Sequence, residues 1–287
     1  MKQHTLGWIN GFIGVAIFSG TLPATRVAVQ QLPPLFVTSA RACIAALLGG
    51  LLLCLLKQTR PHAAQLRSLI LVSMGVVLGF PLFTSLALQH ASSAHMIVFV
   101  GLLPLSTALF AVWRGGERPK PLFWAFALVG AISVASYALL NSDGAPWYSD
   151  VLMLAAIVVC GMSYAEGAKL SRELGGWQVI SWALLLSLPV ILPLALWSWP
   201  SPIAPVHSNA WWSLAYVSVF SMLIGFVFWY QGLAQGGTAA VGQLQLLQPF
   251  MGLGLAALLL QEHIHPSMLV VTVVAVLCVA GAKRFAH

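Results

Sequence analysis

The chain has 287 residues, of which 60% are hydrophobic and only 7% charged, with a mean hydropathy of +0.92 and a formal net charge of +7. Soluble domains carry about 25% charge, so this composition excludes a water-soluble enzyme or binding domain and places the chain in a bilayer. The basic residues sit in short loops between apolar runs, where they set topology rather than attract nucleic acid.

In chain order, ten apolar runs of spanning length are expected, at 7–29, 35–56, 68–89, 94–113, 121–140, 151–169, 177–199, 211–234, 238–260 and 266–282. Each approaches the ~20 residues a helix needs to cross the hydrocarbon. They are apolar all round and lack the alternation over ~10 residues of a membrane β-strand. The first run follows Lys2 and contains Leu22-Pro23-Ala24, the layout of a signal peptide, but it is long for one and is read as a retained span. It carries Asn10, Ser19, Thr21, Thr25 and Arg26, and the second run carries Arg41. The third brings Phe80, Pro81, Phe83, Thr84 and Ser85, the sixth Ser163, Tyr164 and Glu166. The eighth holds Phe226, Phe228, Trp229, Tyr230 and Gln231, and the ninth Gln243, Gln245 and Gln248 followed by Pro249. Cys43, Cys54, Cys160 and Cys278 all fall inside apolar runs, with neither a disulfide framework nor a metal spacing, and are read as small core residues.

Residues 91–119 and 236–266 are matching stretches 145 residues apart. Ala94 aligns with Ala239, Pro104 with Pro249 and Glu117 with Glu262. Each is a small-residue turn, an apolar run broken by one proline, then a lone glutamate. The expected plan is two copies of one unit, 1–145 and 146–287, with five helices each. An odd number of spans inverts the second copy, the arrangement typical of secondary transporters.

With the N-terminus inside, eleven of the thirteen Lys and Arg residues fall in cytoplasmic segments, and the other two, Arg26 and Arg41, lie within spans. Both termini are therefore expected in the cytoplasm. Nine of eleven tryptophans lie near span ends, as in an interfacial aromatic belt.

Three segments carry a family resemblance: TSARACIAALL with Arg41, SSAHMIVFVGLLPLSTALFAVWRGGE, and its repeat GTAAVGQLQLLQPFMGLGLAALLLQE. Through them the chain resembles the drug/metabolite transporter superfamily, specifically the ten-helix group with two EamA-type repeats. The three glutamines of the ninth run and Gly20 of the first depart from the usual pattern. The resemblance implies an all-α integral membrane fold in which helices 1–4 and 6–9 surround a central cavity while helices 5 and 10 stand outside. It also implies a secondary transporter that exports a small metabolite (an amino acid or related polar or aromatic solute, or a drug) by alternating access across a bacterial inner membrane.

Candidate residues follow from the cost of polar groups in hydrocarbon. Gln245 and Gln248 share a face, Gln243 is offset, and Pro249 frees a backbone carbonyl one turn back. These amides face either a solute cavity or a neighbouring helix, which they would join by bonds of about 0.6 kcal/mol. Trp229, Tyr230, Tyr164, Phe80 and Thr84 complete the candidate solute contacts, with plain packing as the alternative for each aromatic. Glu117 and Glu262 are read as gate residues, Glu262 level with Arg26 and Arg41, and Glu117 level with Lys169 and Arg172. Pro104 and Pro249 are expected to kink their helices. Glu166 is the first candidate for proton coupling, with a simple pair to Lys169 as the alternative. The outer histidines, His90, His95, His207, His263 and His265, are read as solvated at the interface. No metal or other cofactor is expected. The expected partners are a small-molecule solute and lipid, without nucleic acid, and a homodimer is compatible with the sequence. An intramembrane enzyme or a non-transporting scaffold or receptor is the competing class, but the chain shows no H-E-x-x-H, G-x-S-x-G or nucleotide loop.

Overall fold

The computed structural model describes residues 2–115, 120–140, 144–200, 206–236 and 241–284. The first helix, α1, runs Lys2–Ser19 and, after a break at Gly20, Thr21–Val29. Then follow α2 (Pro34–Leu55) and α3 (Ala63–His90). Two pieces, Ser93–Val100 and Leu103–Gly115, form α4, and α5 is Pro121–Leu140. The second half of the chain gives α6 (Trp147–Leu174), α7 (Gly176–Trp197) and α8 (Ser208–Gly236). A 3₁₀ turn, Gly242–Leu247, and the helix Gln248–Leu260 make α9, and Pro266–Arg284 is α10. Among the described residues seven helices are long and apolar enough to cross a membrane, and Pro121–Val134, Leu244–Leu260 and Pro266–Cys278 are shorter apolar helices.

Local chemistry explains the ends. Pro34 opens α2 where its missing N–H costs nothing. The Ser92 hydroxyl caps α4 by accepting from the His95 N–H at 3.1 Å. A single residue, Gly175 at φ +92°, joins α6 to α7, a conformation open to glycine and strained for other residues. At the end of α9, Gln261 is left-handed and both its N–H and that of Glu262 donate to the Ala256 carbonyl, which folds Glu262 back over the bundle.

Four ladder faults sit in the turn before a proline. A proline cannot donate to the carbonyl four residues back and crowds it. Pro23 accounts for the fault at Gly20, and Pro104 for the one at Gly101–Leu102. Pro249 follows the 3₁₀ turn of α9, and Pro81 follows a π-helical stretch, Ser73–Gly79, in α3. A second π stretch, Tyr216–Ile224, lies in α8 without a proline. Shifted by the 145-residue offset of the sequence repeat, the two π stretches coincide to within two residues.

The packing repeats in the same way. Helix α1 packs on α8 as α6 packs on α3, and α1 on α9 as α6 on α4. The pairs α2–α7, α4–α9 and α5–α10 each map onto themselves when a helix is exchanged for the one five places on. Helices α5 and α10 pack chiefly on each other, outside the rest. The outer surface is apolar: Leu47, Leu55, Leu128, Leu140, Leu196 and Leu258 are all exposed. Such a surface is stable against lipid and aggregates in water.

Candidate functional site

The helix faults meet inside the bundle. At Gly20 the α1 ladder is open, and the Tyr216 hydroxyl of α8 donates to the Ile17 carbonyl at 2.7 Å. A Cβ on Gly20 would stand 2.5 Å from that hydroxyl oxygen, so a side chain there would displace the Tyr216 hydroxyl. On either side of Gly20, Ser19 and Thr21 reach two other helices. Ser19 Oγ bonds the Val15 carbonyl at 2.8 Å and lies 3.5 Å from the carbonyl of Gln248, where α9 changes from 3₁₀ to α. Thr21 Oγ1 pairs with Ser221 Oγ, in the π stretch of α8, at 2.8 Å. The faults of α4 and α9 also face each other, with a Cβ on Gly101 meeting Pro249 at 4.0 Å. Pro104 and Pro249 thus each begin the second piece of a broken helix.

The aromatic candidates form one cluster around α8. Trp229 lies edge-on to Phe18 of α1 at 6.4 Å and 5.8 Å from the Tyr164 ring of α6. Phe226 sits 4.9 Å from Phe18, 6.0 Å from Tyr164 and 5.5 Å from Tyr230. Trp229, Tyr230, Gln245 and Gln248 are all buried. Yet Trp229 Nε1, the Tyr230 hydroxyl, Gln245 Nε2 and Gln248 Oε1 have no hydrogen-bond partner among the described residues. Buried polar atoms are normally bonded, so four such atoms, two on α8 and two on α9, on helices that both pack on α1, stand out. Thr84 differs: its hydroxyl is spent on the Phe80 carbonyl of its own helix at 2.7 Å, and Phe80 is partly buried against the core. The Gln243 side chain lies outside the described residues.

The charged candidates separate. Among the described residues Glu262 makes no direct ion pair with Arg41 or Arg26, although its charge acts on Arg26. Its carboxylate instead caps α4, accepting from Ser93 N (3.0 Å), Ser93 Oγ (2.8 Å) and Ala94 N (2.7 Å). The positive end of a helix dipole favours this placement. Arg26 donates to the Leu88 carbonyl in the last turn of α3, the negative end of the neighbouring helix. Arg41 turns inward from α2 and donates to Ser221 Oγ at 3.2 Å. Glu117 lies outside the described residues. Glu166 is buried between α6 and α3 and accepts from Ser68 Oγ at 2.5 Å, while Lys169 stands exposed.

The geometry has counterparts in known proteins. The EamA-like transporter family model matches twice, over residues 5–139 and 147–282. The chain belongs to the EamA-like transporter family. It is 59% identical over 286 residues, all of both chains, to the Bacillus subtilis (strain 168) protein named as the uncharacterized transporter YdeK. A "probable terminal-alkyne amino-acid exporter" of Streptantibioticus cattleyicolor is 24% identical over 264 residues, covering 89% of this chain and 86% of that one. A protein solved by crystallography shares the fold with a TM-score of 0.68 at 19% identity, covering 96% of this chain and 97% of that one. The chain is thus an integral membrane protein of a family of transporters, which places it with a small-molecule solute and a bilayer.

In this EamA-like transporter one polar contact was not legible in the sequence. His95 is buried, not solvated at the interface: its Nε2 lies 2.9 Å from Asp150 Oδ1, and its ring packs 5.1 Å from Tyr137. Asp150 gave no signal of its own, being a single acid in the first turn of α6. Two pockets open at the periphery. One of about 150 Å³ lies between α3 and α6, beside Gln65, Lys169 and Glu173, and one of about 540 Å³ in the groove between α2 and α7, beside Lys57, Arg60 and Trp182. Neither of these two is lined by the solute candidates, of which Trp229, Tyr230, Tyr164, Gln245, Gln248 and Thr84 are buried. Among the described residues no three His, Cys, Asp or Glu side chains gather as a metal site.

Proposed function

We propose that this chain is a secondary transporter that exports a small amino-acid-like or related polar or aromatic metabolite by alternating access. In this reading it crosses a bacterial inner membrane ten times, as two inverted five-helix repeats, 1–145 and 146–287, with both termini cytoplasmic. The observation that carries the reading is the set of buried, unpartnered polar atoms of Trp229 and Tyr230 on α8 and of Gln245 and Gln248 on α9, two helices that both pack on α1. A solute would satisfy these atoms, and the faults in α1, α4 and α9 supply the broken helices on which transporters of inverted repeats build their sites. The name of the Streptantibioticus relative supports an amino-acid-like solute and the outward direction. If the cycle moves protons, Glu166 is the first carboxylate to test.

Replacing Gln245 and Gln248 together by leucine is expected to weaken solute binding by at least ~10-fold while the protein stays folded and monodisperse. Counterflow in liposomes measures the first and size-exclusion chromatography the second. Normal transport by the double variant would remove both amides from the site. For topology, single cysteines in a cysteine-free background at Thr59 and His207 should be labelled by impermeant maleimide from opposite faces, Thr59 from the cytoplasm and His207 from outside. Labelling of both from one face would overturn the inverted plan.

A further inference from the structure

Arg41 is 2% exposed and stands about 10 Å into α2, counting 1.5 Å per residue from Pro34. A guanidinium keeps its charge even when buried and carries five N–H donors. One of its nitrogens, Nη2, donates to Ser221 Oγ at 3.2 Å, and Nε and Nη1 have no partner among the described residues. No carboxylate among those residues lies within ion-pair distance of it. A buried cation without a counter-charge is disfavoured in protein and more so in a bilayer. Its surroundings are nonetheless polar and specifically built. Ser221 belongs to the π stretch of α8 and is bonded to Thr21 beside the α1 fault. Thr25, one turn along α1 from Thr21, is buried with its hydroxyl unpartnered. Ser19, on the other side of Gly20, reaches the Gln248 carbonyl. A cation with open donors is thus linked through Ser221 and Thr21 to the α1 fault, whose other side reaches α9 at the Gln248 carbonyl.

Building on the transporter reading above, we propose that Arg41 is the anchor for a carboxylate on the transported solute. Arg41 takes the carboxylate, Ser221 and Thr25 offer hydroxyls to it, and Gln248 and Trp229 receive the remainder of the molecule. The substrate class is then small carboxylates, α-amino acids included, rather than neutral or cationic amines. The solute supplies the counter-charge that the protein withholds, so Arg41 is paired only when the site is loaded.

The test uses full-length protein, in liposomes for counterflow and in detergent for thermal unfolding, with L-leucine, L-phenylalanine and L-threonine and their carboxamides as probes. In the wild type at least one acid should compete ~10-fold or more better than its amide, because a site built around a charged partner rejects an analogue that lacks it. The same acid, and not its amide, should raise Tm. Arg41→Gln should remove the acid preference, and Arg41→Lys should keep part of it. A purely structural Arg41 would change protein yield and leave the acid-to-amide ratio intact. Equal competition by acid and amide in the wild type overturns the proposal without recourse to any variant, as does an Arg41→Gln protein that keeps the full preference. Stabilisation by acids without counterflow would uphold the Arg41 site and reject the transport reading. Counterflow without acid preference would do the reverse, and neither signal from any probe rejects both.

Discussion

Replacing Gly232 by valine will push α1 and α8 apart and destabilise the whole bundle. The two helices meet through two small-residue motifs, Gly7-x-x-x-Gly11 on α1 and Gly232-x-x-x-Gly236 on α8. A Cβ on Gly232 would lie 2.6 Å from the Gly11 nitrogen and 2.9 Å from its Cα, and one on Gly7 would lie 2.5 Å from the Gly236 nitrogen. These are backbone atoms, which cannot rotate away as a side-chain tip can. Lipid is as apolar as leucine, so helices in a membrane associate through such close packing rather than through hydrophobic burial. The approach also lets Asn10 Nδ2 donate to Gln235 Oε1 at 2.9 Å. Overpacking ordinarily costs about 1–3 kcal/mol, and a clash with rigid backbone belongs at the top of that range. For a chain of this size such a loss lowers Tm by roughly 5–10 °C. Gly254→Val is the matched control, since a Cβ there meets nothing within 4 Å. Thermal unfolding in detergent should leave Gly254→Val within about 2 °C of wild type. Equal Tm values for the two variants would refute the seam.

The helices were legible because hydrocarbon leaves the backbone few choices: a long apolar run must close its own hydrogen bonds as a helix. The faults at Gly101 and Gln248 were legible through Pro104 and Pro249, since the chemistry that breaks the ladder is written in one residue. The π stretch of α8 was not, because no proline or charge marks Tyr216–Ile224. The direction a side chain takes from its helix was not readable: Arg41 bonds Ser221 of α8, and Glu262 bonds the first turn of α4. Runs that are apolar all round carry little helical periodicity, so the sequence holds no signal for which side of a helix meets its neighbour. The burial of His95 was hidden for the same reason, its partner Asp150 lying 55 residues away on another helix. The two repeats could be read, by contrast, because a repeat needs no knowledge of contacts.

Glu262→Gln should slow the transport cycle while leaving solute affinity nearly unchanged. The carboxylate of Glu262, at the end of α9, holds the first turn of α4 through three hydrogen bonds. This joins the two halves across the α4–α9 contact, while Arg26 of α1 holds the facing end of α3. The short turn between α3 and α4 is thus gripped by a cation at its negative helix end and an anion at its positive one. An amide at position 262 keeps one acceptor but turns a donor toward the Ser93 and Ala94 N–H groups. Hydrogen bonds to a charged group contribute about 1.5–3 kcal/mol, so this conformation should lose about 2 kcal/mol relative to any in which the contact is already open, roughly a thirtyfold shift in population. In the alternating-access reading proposed above, a cycle must pass through both arrangements, and an imbalance of that size slows the return through the disfavoured one. Turnover should therefore fall by ~10-fold or more, with Kd changed less than about threefold, since no solute candidate touches Glu262. Tm should fall as well, and Arg26→Gln should show the same pattern more weakly because it gives up a single contact to a carbonyl. Counterflow rates together with equilibrium binding separate the alternatives. Intact turnover with a tenfold loss of affinity would place Glu262 in the solute site, and an unchanged protein in both respects would show that the cap holds nothing that moves.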